Sequence, residues 1–112
     1  MKNKFRVACI QTCSSDIPEE NFFMLNQIFD EIKNRPIDLI CLPECVAIFT
    51  DSKKKINDYV ENFHNKFLNL VKEKAKSLKT NILVGSYPFK KKNKKFLNRS
   101  LLINSLGNAA CY

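Results

Sequence analysis

Short apolar runs alternate with segments of helical periodicity along this chain, and that alternation restricts the folds open to it. The apolar runs, predicted to be buried strands, are residues 5–10, 37–42 and 81–87. Four apolar residues between the first two runs recur at helical spacing: Phe22, Leu25, Phe29 and Ile32. A second helical pattern begins near residue 57. Strands that alternate with helices predict an α/β fold with a parallel sheet and right-handed crossovers.

Local signals predict where the helices begin and end. Asp16 with Glu19 three residues later fits a capping box, and Pro18 suits a first helical turn. Residues 34–36 contain a proline and are expected to end this helix. Residues 50–55 are polar and predict a loop before the second helix.

The last third of the chain predicts additional strands without helices between them. A lysine-rich turn at residues 90–95 leads to a fourth strand at 97–104, and a tight turn precedes a fifth strand that begins at Ala109. The predicted order is therefore β-α-β-α-β-β-β within a single domain, residues 1–112. The backbone groups of a strand that has only begun still need partners, so we expect this domain to be truncated.

The positive charge of the chain is concentrated in two places. The formal net charge of the 112 residues is +8. The eight lysines within residues 53–55 and 90–95 together carry the same charge, so the rest of the chain is balanced. The alternative is a nucleic-acid site, in which these lysines contact phosphates and Phe89 and Phe96 lie beside them. A charge run on a hairpin turn is more typical of a solvated tip, with the two rings closing its ends. Specific nucleic-acid binding is therefore not expected.

The apolar and cysteine patterns bear on location and metal binding. No apolar run approaches the roughly 20 residues needed to span a bilayer, and the run at 5–10 is too short for a signal peptide. We therefore expect a cytoplasmic protein with no membrane association and with reduced thiols. Five cysteines argue against a disulfide framework. The pairs Cys9/Cys13 and Cys41/Cys45 straddle predicted strand ends, unlike common zinc sites, so we expect mostly buried thiols and no metal.

Glu44 is the candidate for chemistry that follows from the residues themselves. It comes directly after the apolar run that ends in Leu42-Pro43. In α/β sheets, ligands bind outside the carboxyl ends of the strands, and a carboxylate there, partly shielded from water, can act as a general base. The alternative is an ordinary glutamate at the start of a loop. His64, on the second helix, is expected to be a surface or boundary side chain.

Four segments, in order, resemble the carbon–nitrogen hydrolase (nitrilase) superfamily across nearly the whole chain. Residues 7–11 and the serine-rich loop after them resemble its opening, and residues 38–44, which read Asp-Leu-Ile-Cys-Leu-Pro-Glu, resemble its Leu-Pro-Glu signature. Residues 82–86 and 98–103 resemble its next core strand and its asparagine-containing strand. The Cys-Ser-Ser and Asn-Arg-Ser segments are most similar to the Nit branch of small-amide hydrolases.

The resemblance implies the N-terminal half of an α-β-β-α sandwich and an activity toward amides or nitriles without a cofactor. The family uses a cysteine nucleophile, a glutamate base and a lysine that stabilises the oxyanion. Glu44 matches the base, whereas the lysine and the cysteine would lie beyond Tyr112. We therefore expect the chain to be inactive alone, with a small amide as substrate once completed.

A protein partner is also expected, because half of a sandwich leaves apolar surface uncovered. The chain is predicted to form a homo-oligomer or to pair with a C-terminal half. The alternative function is a non-catalytic α/β binding module that pairs with a separately encoded second half.

Overall fold

A five-stranded sheet forms the centre of the protein. The structure is a computed structural model and describes residues 4–91 and 95–111. Five strands and three helices follow one another along the chain as β1 (Val7–Cys9), α1 (Pro18–Ile32), β2 (Leu39–Leu42), α2 (Lys53–Asn62), α3 (His64–Leu78), β3 (Asn81–Lys90), β4 (Phe96–Ile103) and β5 (Ala109–Cys111). The strand order in the sheet is β1-β2-β3-β4-β5. The first three strands are parallel, and β4 and β5 are antiparallel to their neighbours. The predicted α/β fold class is confirmed.

The two faces of the sheet differ because side chains alternate along each strand. Residues that point toward the helices are buried, among them Ile40, Ile82 and Leu101. They share one core with Leu25 and Phe29 of α1 and with apolar residues of α3. Among the described residues no element packs on the opposite face, which we call the open face. Its side chains are half-buried or exposed: Val7, Cys9, Leu39, Cys41, Leu83 and Leu102.

The second helical segment is two helices, where the sequence pattern predicted one. Phe63 leaves the helical conformation, with φ −122° and ψ −17°, and its ring packs edge-on against Phe22 at 6.3 Å between centroids. The segment also begins earlier than expected. The Ser52 side chain accepts a hydrogen bond from the Lys55 backbone N–H at 3.3 Å, so α2 begins at Lys53 within the predicted loop.

The start of α1 is capped differently from the prediction. Pro18 occupies the first turn as expected, but the residue before it, Ile17, takes the cap position without a side-chain hydrogen bond. Asp16 forms an ion pair with Lys55 instead of the predicted capping box. Thus the long-range ion pair replaces the local cap.

The first strand is shorter and more exposed than predicted. It comprises three residues, and its position at the edge of the sheet leaves Val7 47% exposed. Phe5, which was expected within a buried strand, is 66% exposed and lies outside it. The predicted tight turn after β4 is present: Gly107 has φ 84° and donates its N–H to the Asn104 carbonyl at 2.9 Å.

No helix within residues 4–91 and 95–111 is both long and apolar enough to cross a membrane.

Candidate functional site

Glu44 lies in a turn at the carboxyl end of β2, where the fold predicted a ligand site. The buried side chain of Leu42 ends the strand, and the turn follows at Pro43. Because β2 pairs with β1 on one side and β3 on the other, this turn stands over the middle of the parallel strands. The Glu44 side chain is exposed. The described residues therefore place the backbone of Glu44 at this edge of the sheet but do not provide the partial shielding of its carboxylate that was expected.

The turn rests on β3 at Gly85. A Cβ atom at this position would lie 2.8 Å from the Glu44 nitrogen, 2.8 Å from the Pro43 carbonyl carbon and 2.9 Å from the Leu42 oxygen. Such distances are well inside ordinary van der Waals contact. Only glycine therefore lets β3 approach the backbone of the turn this closely.

The next residue of β3 fixes the other half of the turn. The backbone N–H of Cys45 donates to the hydroxyl of buried Ser86 at 3.1 Å. Cys45 itself has φ 55°, the left-handed conformation that non-glycine residues rarely adopt. The hydrogen bond helps to hold this conformation, and with it the direction in which the chain leaves Glu44.

An irregularity in the β3–β4 ladder brings Gly85 and Ser86 to the turn. Val84 pairs with Leu101 and Tyr87 with Arg99, so β3 has one more residue than β4 between these pairs. The hydroxyl of Ser100 donates to the Gly85 carbonyl at 2.7 Å inside the bulge. Bulges of this kind commonly re-aim a strand next to a functional site.

A groove of about 310 Å³ lies beside Glu44, between the loops that follow β1 and β2. Its lining includes Thr12, Cys13 and Ser14 from the first loop and Glu44, Cys45 and Phe49 from the second. The groove combines the apolar side chains of a proline and a phenylalanine with hydroxyls, thiols and one carboxylate. It has the size of a site for a small molecule.

Asn21 links the two loops through hydrogen bonds of its side chain. Its side chain, 2% exposed, accepts from the Ser15 N–H at 2.8 Å and donates to the carbonyls of Ser15 at 2.9 Å and Ala47 at 3.0 Å. The Phe49 N–H also donates to the Ser15 carbonyl at 2.9 Å. Glu44 therefore lies in one of two loops that hydrogen bonds hold together.

The four cysteines whose side chains the structure describes are less buried than predicted, and the side chain of Cys111 lies outside the described part. Cys9 and Cys13 are exposed, and Cys41 and Cys45 are half-buried. The reason is positional, since Cys9 and Cys41 lie on the open face and the other two lie in the groove. No cluster of three or more histidine, cysteine, aspartate or glutamate side chains suited to a metal ion occurs in the described part of the chain.

His64 lies away from the groove, half-buried at the start of α3. Its ring stacks on Tyr87 with centroids 5.6 Å apart. Burial lowers the pKa of His64, and the nearby Arg99 guanidinium lowers it further. Arg99 in turn stacks on Phe89 at 3.9 Å and donates to the Tyr87 hydroxyl. The sequence pattern gave no indication of this aromatic and cationic cluster.

Of the described lysines at the hairpin turn, Lys90 is held at its base, whereas Lys91 and Lys95 are exposed. Lys90 lies 3.9 Å from the Glu61 carboxylate, donates to Asn57 at 3.3 Å and sits 5.6 Å from the Phe96 ring centroid. Phe89 is half-buried against the core, whereas Phe96 is 39% exposed. Lys92 and Lys94 lie outside the described residues.

Comparison with known proteins identifies the family. The sequence matches the family model described as carbon-nitrogen hydrolase over residues 6–112. A search of curated proteins found no significant match.

Solved structures share the fold at low sequence identity. The C. elegans NitFhit protein superposes with a TM-score of 0.87 at 21% identity, over 95% of this chain and 26% of its own. A protein described as N-terminal amidase gives 0.79 at 20% identity, over 96% and 27%. A glutamate-to-glutamine variant of the amidase from Nesterenkonia sp. AN1 gives 0.80 at 14% identity, over 97% and 43%. The chain thus spans 26% to 43% of these structures, less than the half that was expected.

Proposed function

The chain belongs to the carbon–nitrogen hydrolase family, and on this premise we propose that it supplies the general base, Glu44, of a cysteine-dependent amide hydrolase. Its nucleophile and oxyanion-stabilising lysine would come from sequence beyond Tyr112, as the resemblance implies. The 112-residue chain by itself is then catalytically inactive, because removing the nucleophile removes the covalent step altogether.

The proposed chemistry assigns Glu44 a proton-transfer role. Its carboxylate accepts the proton of the cysteine thiol as the sulfur attacks the amide carbon. The proton then passes to the departing amine, which leaves a thioester. A water molecule, deprotonated by the same carboxylate, releases the acid and restores the thiol. The exposed carboxylate gains the shielding that this role needs when the rest of the domain covers the groove.

The observation that carries this proposal is the fixed position of the Glu44 turn. The close approach of Gly85 and the Ser86–Cys45 hydrogen bond place the backbone on both sides of Glu44 against β3. An ordinary loop glutamate has no need of such support. Positioning to within about 1 Å is what a general base requires.

An amide is the substrate class that the comparisons favour. Of the matched structures, one is described as an N-terminal amidase with a Gln-Gly peptide, and another amidase carries an acrylamide adduct at its active-site cysteine. The small groove beside Glu44 suits a compact amide.

The test begins with the intact mass of the native product in its source cells. A mass near the 13.0 kDa of this sequence directs the search to a separate second chain, whereas a larger mass directs it to a continuous one. Ammonia release from small primary amides is then measured for the completed protein. Glu44→Gln should reduce kcat by at least about 100-fold, with Glu31→Gln, an exposed change on α1, as the matched control. Unchanged activity in Glu44→Gln refutes the assignment.

A second candidate function is a non-catalytic interaction module that pairs with a separately encoded C-terminal half. The open face supports it, since the apolar side chains of Val7 and Leu102 are 47% and 39% exposed there. Binding of a C-terminal half without any amide hydrolysis by the complex favours this candidate. Hydrolysis that depends on Glu44 favours the enzyme.

A further inference from the structure

Arg99 lies in an aromatic cluster that the proposed chemistry does not use. Its guanidinium stacks on the Phe89 ring at 3.9 Å and lies 5.3 Å from the ring centroid of Tyr87. The Arg99 Nε–H donates to the Tyr87 hydroxyl, and the His64 ring stacks on Tyr87. Among the described residues, no carboxylate lies within 4.0 Å of Arg99. Aromatic rings and a hydroxyl, rather than an ion pair, therefore hold this half-buried cation.

Tyr87 and Arg99 form the strand pair that closes the bulge between β3 and β4. Inside the bulge, Gly85 and Ser86 of β3 lie opposite Ser100 of β4. Because side chains alternate between the two faces of a sheet, the extra residue reverses the face on which the following residue lies. Tyr87 therefore faces the helices, where it is 1% exposed.

A ladder without the bulge would turn Tyr87 away from the helices. Tyr87 would then lie opposite Asn98 on the open face, and its contact with Phe67 of α3, at 6.1 Å between ring centroids, would be lost. The hydrogen bond that it accepts from Arg99 would be lost as well. The cluster around Tyr87 therefore favours the register that contains the bulge.

We propose that Arg99 is a positioning residue for Glu44, on which it acts through Tyr87 and the bulge. Arg99 holds Tyr87 on the helix side of the sheet, and this fixes the extra residue of β3 in its place. The bulge in turn supports the Glu44 turn, because the Ser86 hydroxyl accepts the backbone N–H of the residue after Glu44 at 3.1 Å. The inference rests on the proposed function only for the role of Glu44 as a base.

A planar guanidinium suits this arrangement better than an ammonium group. One face of the Arg99 group lies on Phe89, and this stack directs the Nε–H toward the Tyr87 hydroxyl. Lysine keeps the charge but has neither the flat face nor the fixed direction of the donor. We therefore expect that Arg99→Lys does not restore the arrangement.

The test follows amide hydrogen exchange in the 112-residue chain by NMR. The reporter is the Cys45 amide, which donates to Ser86 beside the bulge. The reference is the Thr80 amide, which donates to the Ala75 carbonyl at 3.1 Å just before β3 begins. An effect on the Glu44 turn accelerates exchange at Cys45 alone, whereas a general loss of stability accelerates exchange at both amides.

Four variants define the expected result. Arg99→Ala should accelerate exchange at Cys45 about tenfold relative to Thr80, and Arg99→Lys should do nearly the same. Tyr87→Phe keeps the ring and removes only the hydroxyl, so an acceleration of about threefold is expected. Combining Tyr87→Phe with Arg99→Ala should add nothing to Arg99→Ala alone, because both remove the same hydrogen bond. The matched control is Lys90→Met, since this cation of the same hairpin contacts Phe96 and should leave Cys45 unchanged.

Two results of the exchange experiment overturn the proposal. One is equal acceleration at Cys45 and Thr80, because Arg99 then stabilises the fold as a whole. The other is unchanged exchange at Cys45 in both Arg99→Ala and Tyr87→Phe.

The completed amide hydrolase gives a second readout. Arg99→Ala should lower kcat at least about fivefold and leave KM within about twofold, because a displaced base slows proton transfer without weakening substrate binding. A change in KM alone contradicts the positioning role. Exchange at Cys45 does not depend on hydrolysis, so it shows a failure of this inference. A Glu44→Gln variant that still hydrolyses amides shows instead a failure of the proposed function.

Discussion

Substitution of Gly85 by alanine tests whether β3 sets the position of the Glu44 turn. The added Cβ would lie 2.8 Å from two backbone atoms and 2.9 Å from a third. Ordinary contacts begin at about 3.5 Å, so the turn has to move by about 0.7 Å. All three atoms belong to the backbone, and none can rotate away as a side-chain end would.

The expected loss of stability follows from these contacts. Overpacking of this kind costs about 1–3 kcal/mol, and displacement of Cys45 from Ser86 adds about 1 kcal/mol for the lost hydrogen bond. The alanine offsets about 0.5 kcal/mol by restricting the unfolded chain. We therefore expect Gly85→Ala to reduce the free energy of unfolding by about 1.5–3.5 kcal/mol, which lowers Tm by about 6–28 °C.

The assay is urea and thermal unfolding, together with the rate at which iodoacetamide alkylates Cys45. Gly107→Ala is the control, since its Cβ would meet only side-chain carbons of Lys76 at 3.0–3.2 Å. Its φ of 84° gives a conformational cost of about 1 kcal/mol far from Glu44. Cys45 alkylation should change in Gly85→Ala alone. Stability of Gly85→Ala within about 0.5 kcal/mol of the wild type, with unchanged alkylation, would refute the reasoning.

Three more changes probe the loops and the core. Asn21→Ala removes three hydrogen bonds of a buried side chain and should lower the free energy of unfolding by about 2–4 kcal/mol, measured by urea unfolding; a loss below about 1 kcal/mol contradicts the bracing role. Tyr59→Phe removes a buried hydroxyl that has no hydrogen-bond partner among the described residues, so stability should stay constant or rise by about 1 kcal/mol, and a clear loss in the same assay argues against this. Because the folded-state pKa of His64 is lowered, its contribution is complete above the ordinary value of about 6.5 and declines as pH falls below it. The urea midpoint of the wild type should therefore fall more steeply from pH 7 to pH 5 than that of His64→Phe, and parallel curves contradict this.

Strand and helix order could be predicted from sequence because each depends on local periodicity. The apolar runs around Ile40 and Ile82 predicted the buried strands, and Pro18 predicted the start of α1. Exposure of β1 could not be predicted, because an apolar run does not reveal whether a strand lies at the centre or the edge of a sheet. The break at Phe63 depends on packing against Phe22, which is a contact between distant segments.

The candidate site was predictable only at Glu44 itself. Its place after an apolar strand follows from the local sequence. The residues that hold its turn and loop, Gly85, Ser86 and Asn21, lie on other elements. Gly85 is one of two glycines in the chain, but no spacing rule connects it to a turn that precedes it by about 40 residues. The cluster of His64, Tyr87 and Arg99 was missed for the same reason.

The sheet has a consequence for how the chain acquires its structure. Every strand lies next to the strand that precedes it in sequence, so each new strand finds its partner already in place. During synthesis from the N-terminus the sheet can therefore grow by addition at one edge. Among the described strands, none inserts between two strands that precede it in sequence. Pulsed hydrogen exchange on stalled ribosomes should accordingly show protection of β2 and β3 before β4 has emerged from the ribosome.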